Sequence, residues 1–203
     1  MIYDITPPIT SSLAVWPGDT PLSREVLLDM RAGANITLST MKATVHLGAH
    51  ADGPNHYGKD APSIDQRKLD YYIGACQVVH VKAAAKQRIT PQMVKEEIRE
   101  QRVLFATGSY PDPRMFTENF AALSPELIDW LAERGVMTVG IDTPSVDVSD
   151  SKDLPSHKAI LRHDMAILEG LVLSNVPEGV YELIALPLPL VGFDASPVRA
   201  ILR

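Results

Sequence analysis

The chain carries a single cysteine, Cys76. With no second thiol it can form no intramolecular disulfide, so a reducing, cytoplasmic setting is expected, and within CQVVHV the thiol reads as a buried core group. Clustered lysine and arginine are also missing. The 19 basic residues are outnumbered by 25 acidic ones, giving a formal net charge of -6, and no basic run appears, which argues against nucleic acid as a partner. No stretch approaches the ~18 consecutive apolar residues of a membrane span. The N-terminal MIYDITPPITSS has neither the basic nor the apolar region of a secretion signal, so no membrane association is expected. G-x-S-x-G is absent as well, which weakens a serine-hydrolase reading. What remains is a small-molecule or protein partner.

The 45% hydrophobic and 22% charged residues are those of a globular protein, and 203 residues suit one domain with a substantial core. Segments rich in β-branched or aliphatic residues read as strands: IYDI at the start, REVLLDM, ITLSTMKATVHL, CQVVHVKA, RVLFAT, VMTVGID and YELIALPL. Thr90-Pro91 and Ser124-Pro125 each place a capping side chain before proline at a first helical position, which predicts helices over 90–101 and 125–134, the second closed by Gly135. Strand 103–107, helix 125–134 and strand 136–142 form a βαβ pattern and predict a parallel pair with a right-handed crossover. The strand-rich front half predicts an antiparallel or mixed portion. The expected fold is a single α/β domain over residues 1–203, with a mixed β-sheet core and flanking helices.

Residues 46–56, HLGAHADGPNH, hold three of the chain's six histidines and an aspartate. Gly48, Gly53 and Pro54 are poor helix formers, and no glutamate follows His46, so this is not a metalloprotease helix. A straight strand would hold His46 and His50 about 13 Å apart, too far to share one ion. The chain must therefore curl after His46, and Gly48 permits it. Local chemistry leaves two readings open, a solvated polar loop and a metal site. Histidine and carboxylate among small residues suit Zn²⁺ or Mn²⁺.

The same stretch resembles the H-x-G-x-H-x-D-x-P-x-H signature of the cyclase-like metal-dependent hydrolases. The likeness extends to WPGD at 16–19, IDTPSVD at 141–147, LPSHKAIL at 154–161, ILEGLVL at 167–173, YELIALPL at 181–188 and DASPVRAIL at 194–202. Ala49, where most of that family has threonine, resembles its kynurenine formamidase (arylformamidase) branch; residues 106–120 match that branch less well. The resemblance implies a swivelling β/β/α fold and two Zn²⁺ per subunit, with Mn²⁺ as an alternative. His46, His50 and Asp52 would hold one ion, and Asp52 would bridge to a second held by His157 and Glu169. His56 would be the catalytic acid and base, and Trp16 would line the substrate pocket. It further implies a homodimer that hydrolyses N-formyl-L-kynurenine to L-kynurenine and formate, a step of tryptophan breakdown, by attack of metal-bound hydroxide. A sibling activity on another aryl amide or lactam, as in isatin hydrolase-like relatives, and a non-catalytic metal-binding module are the rival readings. His80 and His163 match no motif position and read as structural.

Overall fold

The computed structural model describes residues 1–203. Four consecutive aliphatic segments build its centre. Strands β5 (Ile73–His80), β7 (Arg102–Ala106), β9 (Thr138–Ile141) and β10 (Ala166–Glu169) lie side by side and parallel. Their side chains alternate between two apolar faces. Val79, Val103, Phe105, Val139, Ile141 and Ile167 point to one face, while Cys76, Val78, Leu104 and Leu168 point to the other. Burial on both faces explains why these strands read as continuous apolar runs.

Antiparallel strands extend the sheet on both sides. One edge is made of β1 (Tyr3–Asp4), β13 (Ile201–Leu202) and β11 (Gly179–Ile184), next to β5. The other is made of β4 (His50–Asp52) and β12 (Ala195–Pro197), next to β10. The nine-stranded mixed sheet agrees with the expected class. A short parallel pair, β6 (Arg88–Ile89) with β8 (Ala122–Leu123), and a hairpin of β2 (Ser23–Leu28) with β3 (Leu38–Lys42) stand apart from it. Only residues 38–42 of the long 36–47 segment are strand, and every residue of β2 and β3 is exposed.

Helix α1 (Pro125–Ala132) begins as expected, with Ser124 Oγ accepting from the Leu127 amide. It buries Leu127, Ile128 and Leu131 against the Val79–Phe105 face and connects β7 to its parallel neighbour β9. The helix expected over 90–101 does not form. A single 3₁₀ turn at Pro91–Met93 is all that remains, and the Thr90 side chain makes no capping bond. Gln77 on β5 claims the following backbone instead. Its side chain donates to the Glu97 carbonyl and accepts from the Arg99 amide, both at 3.0 Å, while Met93, Val94 and Ile98 pack on the sheet. Tertiary contacts here override a modest helical propensity. The second helix lies elsewhere: α2 (Pro155–Arg162), which packs beside α1. No helix is long and apolar enough to cross a membrane.

Candidate metal centre and pocket

The curl after His46 is present, with Gly48 at φ +61°. It folds the chain so that the His46 and His50 ring centroids lie 5.0 Å apart. From His50 the chain runs as β4, and the two-residue period of a strand turns His50 and Asp52 to the same face while Ala51 enters the core. Antiparallel pairing sets Glu169 of β10 directly opposite His50. His157 arrives from the first turn of α2, and the Asp147 carboxylate accepts from the backbone amides of Ser156 and His157 at that helix start. Five side chains from three distant segments, the curl with β4, α2 and β10, thus meet at one side of the sheet.

The distances are short. His50 Nε2 lies 3.3 Å from Glu169 Oε2 and 3.5 Å from Asp52 Oδ1, and His46 Nδ1 lies 3.2 Å from Asp52 Oδ1. His157 Nε2 lies 3.7 Å from both Asp52 Oδ2 and Glu169 Oε1. Two tight donor groups share Asp52: His46, Asp52 and His56, and His50, Asp52 and Glu169. His50, Asp52, His157 and Glu169 are all buried. His50 Nε2 and both Asp52 carboxylate oxygens nevertheless make no hydrogen bond within the chain. Buried polar atoms are rarely left unpaired, so convergent, unsatisfied nitrogen and carboxylate donors fit a divalent cation.

The outward nitrogens of these rings are anchored. His50 Nδ1 lies 2.9 Å from the Gly48 carbonyl, and His157 Nδ1 lies 2.7 Å from Asp147 Oδ2. His46 Nε2 is 3.0 Å from Asp194 Oδ2. Without a cation the cluster titrates abnormally. Burial opposes charge on His157, but Asp147 and Asp52 outweigh it and push the ring up to about 10. At His46 burial is likewise outweighed, mainly by Asp52, and the ring is pushed up to about 9. Asp52 is driven well below the ordinary carboxylate range: burial would raise it, and His157 and His46 more than reverse that. Burial also raises Asp194 and Asp147, but histidine contacts pull both below the ordinary value, Asp147 to about 2.

Above the cluster opens a cavity of about 690 Å³. Its wall is aromatic and apolar, from Leu13, Trp16, Tyr110, Phe116 and Leu171. Trp16 sits edge-on to Phe116, ring centroids 5.2 Å apart. His56 faces the same cavity, its ring 4.3 Å from that of His46. His80 and His163 lie outside it, bonded to the Val176 carbonyl and to Asp129. Cys76 is a buried core thiol, pushed up to about 12 by burial. Sequence reasoning gave no role to Asp147 or Asp194, although both stand in stretches that carried the resemblance. It also missed the wall residues Tyr110 and Phe116, which lie in the poorly matching segment.

A mixed-sheet α/β fold with buried histidines and carboxylates beneath a cavity fits a metal-dependent hydrolase. Comparison with known proteins identifies the family. Residues 3–148 match the model of the family described as "Putative cyclase". The chain is 43% identical over 208 residues to a kynurenine formamidase of Bordetella petrii, covering all of this chain and 97% of the relative. A solved structure described as a potential metal-dependent hydrolase with cyclase activity superposes with a TM-score of 0.86 at 29% identity, covering 100% of this chain and 96% of that one. Isatin hydrolase A of Labrenzia aggregata shares the fold, with a TM-score of 0.85 at 22% identity over 100% and 93% of the two chains. The chain belongs to the cyclase family, and it is an enzyme of the hydrolase class.

Proposed function

We propose that this protein is a metal-dependent arylformamidase that hydrolyses N-formyl-L-kynurenine to L-kynurenine and formate. The observation that carries the reading is the set of orphaned buried donors, His50 Nε2 and both Asp52 oxygens, at the foot of an aromatic-walled cavity. The 43% identity to a kynurenine formamidase supports the choice of substrate. His46, His50 and Asp52 would hold one Zn²⁺, and Asp52, His157 and Glu169 a second, with Mn²⁺ as an alternative occupant. Asp52 is the residue common to the two tight donor groups (His46, Asp52 and His56; His50, Asp52 and Glu169) and would serve both ions. When bound, the ions supply Lewis acidity toward the formyl carbonyl and acidify water toward neutral pH.

The chain's own residues do the rest. Trp16 and Phe116, packed edge to face, offer aromatic surface against which the anilide ring can pack. His56 faces the cavity and stands beside His46, where it can take the proton of the attacking water. It then returns that proton to the aryl amine nitrogen as the C–N bond breaks, so that water is divided between formate and the free amine. The exposed hairpin of β2 and β3, with Val26, Leu28, Leu38 and Met41 open to solvent, supports the further reading that two copies associate. Light scattering on the purified protein distinguishes dimer from monomer.

A metal count joined to turnover of N-formyl-L-kynurenine tests the main proposal. Two zinc ions per chain, turnover lost on chelation and regained with zinc are the expected result. A fully metallated protein without turnover of this substrate would refute it.

A further inference from the structure

The C-terminal segment delivers one carboxylate to the centre that no motif reasoning placed there. Asp194 precedes β12, whose Ala195 stands opposite Asp52 in the sheet. Its backbone is pinned, because the Gly53 amide donates to the Asp194 carbonyl at 2.7 Å. Gly53 has no room for a side chain: a Cβ there would meet the Ile64 amide nitrogen at 2.9 Å and Asn55 Oδ1 at 2.7 Å. The turn carrying Asp194 is thus locked against the loop carrying His46, His50, Asp52 and His56.

From that anchor a single oxygen, Asp194 Oδ2, reaches two histidines. It lies 3.0 Å from His46 Nε2 and 3.4 Å from His56 Nδ1. His46 Nδ1 faces the opposite way, 3.2 Å from Asp52 Oδ1. A neutral imidazole carries one N–H. Placing it on Nε2, toward Asp194, leaves the Nδ1 lone pair aimed into the donor cluster, as a metal ligand requires. The same oxygen stands 3.4 Å from His56 Nδ1 with no hydrogen bond formed between them; an N–H drawn to it there would leave Nε2 free as a base.

We propose that Asp194 is a positioning residue that sets the tautomers of both His46 and His56, and so couples the metal-holding ring to the proton-carrying ring. The proposal rests on the formamidase reading for the role of His56, while its claim on His46 stands on metal binding alone. Asp194 is half-exposed and does not itself line the cavity; its carboxylate meets the lining through His46 and His56.

Asp194→Asn and Asp194→Ala both retain the backbone bond to Gly53. Zn²⁺ affinity is measured by competition with a chromophoric chelator, and kcat and KM for N-formyl-L-kynurenine are measured at saturating Zn²⁺. Both variants are expected to lose about 10- to 100-fold in Zn²⁺ affinity. At saturating Zn²⁺ they are expected to lose about 10- to 100-fold in kcat with KM unchanged. Parental Zn²⁺ affinity in the two variants, or parental kcat at saturating Zn²⁺, overturns the proposal. If the unaltered enzyme itself fails to turn over this substrate, the formamidase reading falls, and the Zn²⁺ affinity ratio alone decides whether Asp194 holds His46.

Discussion

His157 Nδ1 lies 2.7 Å from Asp147 Oδ2, and the ring's other nitrogen looks toward Asp52 Oδ2 and Glu169 Oε1, each 3.7 Å away. Asp147 therefore fixes the orientation of a ring whose working face is buried. It also pairs with Arg88 at 2.6 Å and accepts from the amides that start α2.

Asp147→Asn keeps the shape and removes the charge. Arg88 is then left without its buried counter-ion, and the loss of stability is expected to be about 3 kcal/mol, read from urea unfolding of the metal-free protein. Zn²⁺ affinity should fall by about 10- to 100-fold in a chelator competition. Undiminished Zn²⁺ binding would show that His157 needs no such orientation.

His56→Ala separates proton transfer from metal holding. His56 is half-exposed and sits in the same tight donor group as His46 and Asp52. If it carries the proton, the variant keeps two zinc ions by elemental analysis and loses about 10²- to 10⁴-fold in kcat. Loss of one ion instead would make His56 a ligand.

These roles show where sequence reasoning reaches and where it stops. The curl at Gly48 was legible because a straight strand cannot bring His46 and His50 together. The strands β5, β7 and β9 were legible because burial on both faces leaves an unbroken aliphatic signature. The segment 90–101 misled because its helical pattern is local, whereas Gln77, which captures its backbone at Glu97 and Arg99, lies on another strand. No local pattern could reveal Asp194, since its meaning arises from the pairing of β12 with β4 and the clamp at Gly53. Phe116 and Tyr110 stayed hidden for a different reason: a pocket wall needs only bulk and flatness, which leaves no spacing rule to read.

The raised histidines predict an unusual pH profile for the metal-free protein. In the fold His46 stands at about 9 and His157 at about 10, against an ordinary value of 6.5. A folded-state value above the unfolded one stabilises fully below pH 6.5 and is lost as pH rises through 9 and 10. Asp147 acts in the opposite sense: lowered from 3.8 to about 2, it stabilises above pH 3.8 and loses that contribution as pH falls through 2. Chelated protein should therefore be most heat-stable between roughly pH 4 and 6.5, with Tm falling by several degrees toward pH 10. Zn²⁺ binding should strengthen over that alkaline range, because protons no longer compete for the rings. Scanning calorimetry with and without chelator measures both, and a Tm in chelated protein that stays level from pH 6 to pH 10 would contradict the assigned partners.

Gly170 links the strand that carries Glu169 to the curl that carries the histidines. It adopts φ +65°, and its amide donates to the Thr143 carbonyl at 2.9 Å. A Cβ at this position would clash with the Gly48 carbonyl, the group that anchors His50 Nδ1. Gly170→Ala therefore carries two costs, the left-handed backbone and a backbone clash that no side-chain rotation relieves. Gly33→Ala supplies the reference, since Gly33 has φ +93° and open space around its missing Cβ. The reference is expected to lose about 1–2 kcal/mol and to bind Zn²⁺ as the parent does. Gly170→Ala should lose clearly more than the reference and bind Zn²⁺ more weakly, because pushing the Gly48 carbonyl aside releases the His50 ring. Equal losses in the two variants, with equal Zn²⁺ affinity, would mean that the contact between Gly170 and Gly48 does not hold the centre together.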